Sequence, residues 1–194
     1  NHPVLNKRVS NKANQILAIN HLRQTVFSSY IKDMYEEVYD YLKGVLIEAA
    51  INMKIDPKRF IGEHNVEIQV KDVLQADKLQ SVITDVVTKM FRKLENERST
   101  TALIEKTCSK LEISVDETIM NQAIYYLQIR HQLVHAGGKA DAIFKASHTD
   151  LRYTTGDYID LRYTLIKKIR KAVFCFIEEF DKAALAKGLV IPPA

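Results

Sequence analysis

The stretch YIKDMYEEVYDYLKGVLIEAAINM, residues 30–53, constrains the fold more than any other part of the chain. Tyr35, Val38, Tyr39, Leu42, Leu46, Ala49, Ala50 and Met53 recur at spacings of three and four, which places them on one face of a long amphipathic helix. Such a face must be buried against other elements, and the chain supplies them. Residues 11–30 continue the helical period, with Ile16, Ile19, Val26 and Phe27 as expected core contacts. Residues 77–97 repeat it with Leu79, Ile83, Val86, Val87, Met90 and Leu94, and residues 100–113 give a shorter helix. A closing helix carries Leu165, Ile166, Ile169, Val173, Phe176, Ile177 and Phe180. Only six Gly and four Pro occur in 194 residues, too few for the turns of an all-β fold. The expected architecture is all-α: a four-helix up-and-down bundle with an insertion and short extra helices.

The interruptions are few. Residues 54–75 read as an insertion, with a helical turn opening at Asp56-Pro57 and an alternation of Val66, Ile68 and Val70 that predicts a short strand. Ser114 and Glu117 form an S-x-x-E capping box that opens a helix running to about Ala136, stopped by Gly137-Gly138. DLRYT occurs at 150–154 and again at 160–164, which predicts a turn with two short extended arms. The tail LVIPPA ends the domain. No linker divides the chain, so residues 1–194 are expected to form one domain.

Charge and cysteine usage narrow the class. A net charge of +4 permits nucleic-acid binding without requiring it. Cys108 and Cys175 are far apart, lack a CxxC partner and sit in apolar helical patterns, as buried free thiols of a reducing cytoplasm do. No apolar run approaches the roughly 20 residues that span a bilayer, and no charged-then-apolar leader opens the sequence. The expected setting is cytoplasmic, with no membrane partner.

One helix breaks the rules of its own pattern. In LQIRHQLVHAGG, residues 127–138, an arginine and two histidines interrupt an otherwise apolar or neutral run. On a helical wheel Met120, Ala123, Ile124, Leu127 and Val134 form one apolar stripe, and Tyr125, Tyr126, Ile129 and Leu133 lie apolar on the other side. Gln128 and Gln132 mark a narrow polar edge. A helix apolar nearly all round is a central one. His131 falls within the expected buried stripe, flanked by Arg130 and His135. An arginine there needs a cleft, a partner chain or a counter-charge.

Three readings follow. Arg130 pairs with a carboxylate and the histidines are satisfied core residues. Alternatively, His131 and His135, four apart, form a helical metal pair. Zinc would want a third ligand, for which Asp141 and His148 are at hand only in an irregular segment, and the adjacent arginine repels a cation. The third reading is phosphate chemistry without metal or cofactor: a guanidinium fork on phosphate oxygens, and imidazoles that give and take protons as the RNA 2′-hydroxyl attacks. His135 lies in the last helical turn, where the dipole favours the protonated ring, which suits the acid role at least as well as the base role. A second basic cluster, Arg162, Lys167, Lys168, Arg170 and Lys171, is either a contact for RNA phosphates or a solvated helix face.

Arg130-x4-His135 near the end of such a helix resembles the R-x4–6-H motif of the HEPN superfamily. The order of two long helices, an insertion, the motif helix and a closing helix is similar too, and GDYIDL before the last helix resembles the bacterial branch found beside RiboL-PSP proteins. The resemblance implies a metal-independent endoribonuclease whose site two protomers complete, acting as a toxin or antiviral effector with an antitoxin or defence-system partner protein. Arg130 would then hold the scissile phosphate and His135 would be the general acid or base. The products would carry a 2′,3′-cyclic phosphate and a 5′-hydroxyl. The sequence departs from the family at His131, where Asn is usual, and at Gly137, where some members carry a tyrosine that an antitoxin modifies. A HEPN-like module without catalysis, binding RNA or nucleotide or serving as a dimerising scaffold, is the alternative.

Overall fold

A computed structural model describes residues 12–56, 60, 66–96 and 99–191. In chain order the helices are α1 (Lys12–Ile51), α2 (Val70–Leu74), α3 (Leu79–Asn96), α4 (Thr100–Leu111), α5 (Glu117–Leu127), α6 (Ile129–His135), α7 (Ala142–Ser147) and α8 (Tyr163–Ala186). The chain is all-α. Among the described residues the only β pairing is two isolated antiparallel bridges, Lys139 with Tyr158 and Tyr153 with Ile159. No helix among them is long and apolar enough to cross a membrane.

The residues form two compact units. One holds the described chain up to Tyr35 together with Tyr125–Lys171; the other holds Glu36–Ile124 and the chain from Ala172 onward. The second unit has the larger aromatic core. Leu42, Leu46, Met90, Phe91, Leu94, Ile104, Phe176 and Phe180 are buried there. Tyr39 meets Phe91 edge-on at 4.7 Å, and Tyr41 meets Phe180 in the same way while its hydroxyl donates to Asp181 at 2.9 Å. Burial pushes the Cys108 thiol up to about 11, so it packs as an apolar side chain, and Cys175 is half-buried; both are free. Ser99 caps α4 by accepting from the Ala102 amide, and left-handed Glu112 closes it. Lys187 then donates to the Glu112 carboxylate and to the Leu111 and Glu112 carbonyls, satisfying two acceptors at that helix end.

Several expectations change. The two helices read before residue 54 are one continuous helix of 40 residues. Ile16, Ile19 and Val26, expected in the core, are 52%, 63% and 60% exposed, and only Phe27 is half-buried. Met53 and Leu79 are exposed as well. The periodicity was real, but it laid an apolar stripe that none of the described residues covers. Asp116, not Ser114, caps α5: its carboxylate accepts from the Ile119 amide at 3.0 Å. Val66–Gln69 is neither helix nor strand, and Val70 begins α2. The turn expected at Asp56-Pro57 and the residues 57–59 and 61–65 of the 54–75 insertion lie outside the described residues, as do residues 192–194 of the tail.

The repeated DLRYT does build a tight turn, on different arms. The Thr154 amide donates to the Tyr158 carbonyl at 2.8 Å, with Gly156 and Asp157 at φ +84° and +68°. Its second copy does not return as a strand, because Tyr163 already starts α8.

Candidate functional site

The helix expected over residues 115–136 is interrupted at Gln128. Its backbone stays right-handed there, at φ −61° and ψ −22°, but the His131 amide bonds to the Gln128 carbonyl three residues back. Ile129, Gln132 and Leu133 are buried, whereas His131, Val134 and His135 are exposed. His131 is therefore not part of the buried stripe, and Gln132, read as the polar edge, is. Ile129 and Leu133, the apolar residues of the second side, are the ones that α6 buries.

Gly137 and Gly138 end α6 as expected. Both have positive φ, +61° and +85°, and the Gly138 amide donates to the Gln132 carbonyl at 2.8 Å. The backbone turn therefore holds His135 at the very end of a helix.

The candidate chemistry is built on these seven residues. Arg130 stacks its guanidinium over the Tyr35 ring, with Cζ 4.7 Å from the ring centroid. Stacking of this kind contributes about 0.5–1 kcal/mol and fixes the plane of the fork. The His131 and His135 rings lie 4.7 Å apart, tilted by 45°, as neighbours at i and i+4 should. The structure thus puts a held guanidinium and two solvent-facing imidazoles on one short helix.

The two residues weighed as further metal ligands are engaged elsewhere. Asp141 caps α7, accepting from the Phe144 amide at 2.7 Å. His148 is 1% exposed and sandwiched between Phe144 and Tyr125, at 3.9 and 4.2 Å. Its Nε2 lies 2.8 Å from the Tyr125 carbonyl and its Nδ1 2.9 Å from the Ser147 hydroxyl. A neutral ring that donates from Nε2 and accepts at Nδ1 satisfies both. Tyr125 in turn donates its hydroxyl to Asp150. Among the described residues no three His, Cys, Asp or Glu side chains come together as a metal site would need.

GDYIDL, residues 156–161, carries a second polar centre that the sequence did not explain. Asp160 is 6% exposed, accepts from Arg162 Nε at 2.5 Å, and lies 3.5 Å from both an Arg23 terminal nitrogen and Gln24 Nε2. Two guanidiniums thus share one carboxylate. The Gln24 side chain also accepts from the Leu161 amide at 3.3 Å, tying α1 to the segment that leads into α8. Asp160→Asn removes the shared charge without changing shape. We expect a loss of about 2 kcal/mol in urea unfolding, below the 3–5 typical of a fully buried pair because both arginines keep contact with water.

The five basic residues singled out near α8 divide. Arg162 is engaged with Asp160, while Lys167, Lys168, Arg170 and Lys171 lie exposed on the helix. Lys167, Lys168 and Lys171 project opposite the buried Ile166, Ile169 and Val173 row. None of the five lines a groove of this unit, a cleft of about 790 Å³ between α1 and the 154–161 segment. The cations lining it are Arg23 and Lys32, with His21 also in the groove wall, all from a helix expected to be a core element. What signalled His21 and Arg23, though not Lys32, was the polar run NHLRQT, residues 20–25, interrupting that apolar period. Comparisons with protein-family models, with curated proteins and with solved structures find no match to this chain.

Proposed function

We propose that this chain is a metal-independent endoribonuclease of HEPN type, acting as a homodimer in a toxin or antiviral defence role. The observation that carries the reading is Arg130, stacked on Tyr35 beside two exposed imidazoles at the end of one helix. Stacking on Tyr35 holds a planar, permanently charged guanidinium beside the two imidazoles, the group best suited to phosphate oxygens. In the proposed reaction one imidazole takes the proton of the RNA 2′-hydroxyl. The 2′-oxygen then bonds to phosphorus as the bond to the 5′-oxygen breaks, and a protonated imidazole returns a proton to that leaving oxygen. His135 is one of the pair, and its counterpart is His131 or the His135 of a second copy. Arg130 neutralises the charge that gathers on the phosphorane.

In this reading α1, α3, the α5–α6 pair and α8 correspond to the four helices of the HEPN bundle. The homodimer draws support from α1, where Ile16, Ile19, Leu22, Val26 and Tyr30 form an exposed row along one side of the helix. The test is incubation of RNA with wild type, with and without EDTA, alongside Arg130→Ala and His135→Ala, and measurement of mass by light scattering. Cleavage in EDTA by a dimer, lost in both variants, is the expected result. Binding without any cleavage would favour the non-catalytic module instead.

A further inference from the structure

The α1 groove lies apart from Arg130 and His135, which do not line it, yet Gly137 and Gly138, just beyond His135, do. Its charge is one-sided. His21, Arg23 and Lys32 contribute to the lining, and among the described lining residues none is acidic. Arg23 shares Asp160 with Arg162, so the one carboxylate does not balance both guanidiniums. The Arg23 side chain is still 38% exposed, so its guanidinium stays within reach of an anionic oxygen entering the groove. Asn20 and Ser28 add neutral groups suited to sugar hydroxyls and base edges, and half-exposed Tyr158 offers a ring on which a base can stack.

We propose that this groove binds single-stranded RNA, with Arg23 and Lys32 on backbone phosphates and Tyr158 as a stacking platform. At about 790 Å³ the cleft holds a few linked nucleotides and is far too small to admit a duplex. Cations with an interleaved aromatic are the means by which proteins hold single strands without reading sequence. A strand lying there passes the Gly137-Gly138 turn that ends α6, and so is delivered toward the end of the helix that carries His135. Asp160 acts as a positioning residue, fixing Arg23 from behind while the cation surplus remains. The choice of RNA rests on the ribonuclease reading; the anionic, single-stranded character of the ligand rests on the groove itself.

The test is fluorescence anisotropy with a labelled 2′-O-methyl oligonucleotide, which has no free 2′-hydroxyl and cannot be cleaved. Wild type should bind it, and the double variant Arg23→Gln/Lys32→Gln should bind at least about tenfold more weakly, with a salt dependence shallower by one to two phosphate contacts. Tyr158→Ala, which leaves the Asp160 cluster untouched, should weaken binding about five- to a hundredfold. It keeps the proposal open to failure if the double variant does not fold. A change of less than twofold in both groove variants, binding that duplex RNA or ATP competes for as well as a single strand does, or no binding by wild type overturns the proposal. The two readings fail separately. Groove-dependent binding with no cleavage of unmodified RNA sinks the ribonuclease alone, and Arg130-dependent cleavage with binding indifferent to Arg23, Lys32 and Tyr158 sinks the groove alone.

Discussion

His135→Ala is expected to lower RNA cleavage by about 10²–10⁴, the usual worth of a positioned proton-transfer group. His135 is exposed, so its removal opens no cavity, and the melting temperature should stay within roughly 2 °C of the parent. Arg130→Ala should cost about 10²–10³ in rate, the range for loss of one preorganised charge-stabilising group, and less than about 1 kcal/mol of stability through the lost Tyr35 stack. Arg130→Lys separates charge from geometry. A lysine keeps the cation but has neither the planar fork nor the ring stack, so it should recover only a small part of the rate. His131→Asn places the residue usual in the HEPN motif beside the arginine. Activity retained in that variant assigns proton transfer to the two copies of His135, whereas a loss comparable to His135→Ala assigns half of it to His131. The readout is initial cleavage rate of a labelled RNA with EDTA present, together with thermal unfolding of every variant. Cleavage that survives both Arg130→Ala and His135→Ala rules this site out.

The largest stability effect outside the main core is expected at His148. Its ring is 1% exposed, stacked on two aromatics and bonded to the Tyr125 carbonyl, and a third ring depends on the same loop: Tyr153 donates its hydroxyl to the His148 carbonyl at 3.0 Å. His148→Ala leaves a cavity and an unmatched carbonyl, for a loss of about 3 kcal/mol. For a chain of this size that is a fall of roughly 6–12 °C in Tm. The same residue makes stability depend on pH. Burial holds the ring below the ordinary 6.5 of histidine, and the Phe144 carbonyl opposes this only in part. The unfolded state therefore takes up the proton first as pH falls. The contribution of the neutral ring is fully present above about 6.5 and is lost as pH drops through the lower folded value. Wild type should lose Tm between neutral pH and about pH 5, and His148→Phe, which keeps the stack without the titration, should lose less. An equal pH slope in the two proteins would show that other groups set it.

Much of the fold was legible because period 3.6 is a local property. The apolar rows of α3 and α8 fall where their spacing put them, with Val87, Met90 and Leu94 buried on one and Ile166, Ile169, Val173, Phe176 and Phe180 on the other. Gly137 and Gly138 stop α6 because their positive φ needs no partner from elsewhere in the chain. The candidate site was legible for a similar reason: Arg130, His131 and His135 stand out against their immediate neighbours. Their orientation was not. His131, expected in the interior, is exposed, because which side of a helix is covered depends on what packs against it and not on the period alone.

The sequence by itself determined that the chain is helical, where most helices lie, and that a guanidinium and two imidazoles share the last turns of one of them. Tertiary structure decided what each helical face meets. It left Ile16, Ile19 and Val26 uncovered although their period matches that of buried residues, because a periodic pattern marks a face without naming its partner. It set Tyr35 beneath Arg130 and brought Asp160 to Arg23 across 137 positions of chain, contacts between residues too far apart for any local spacing to encode.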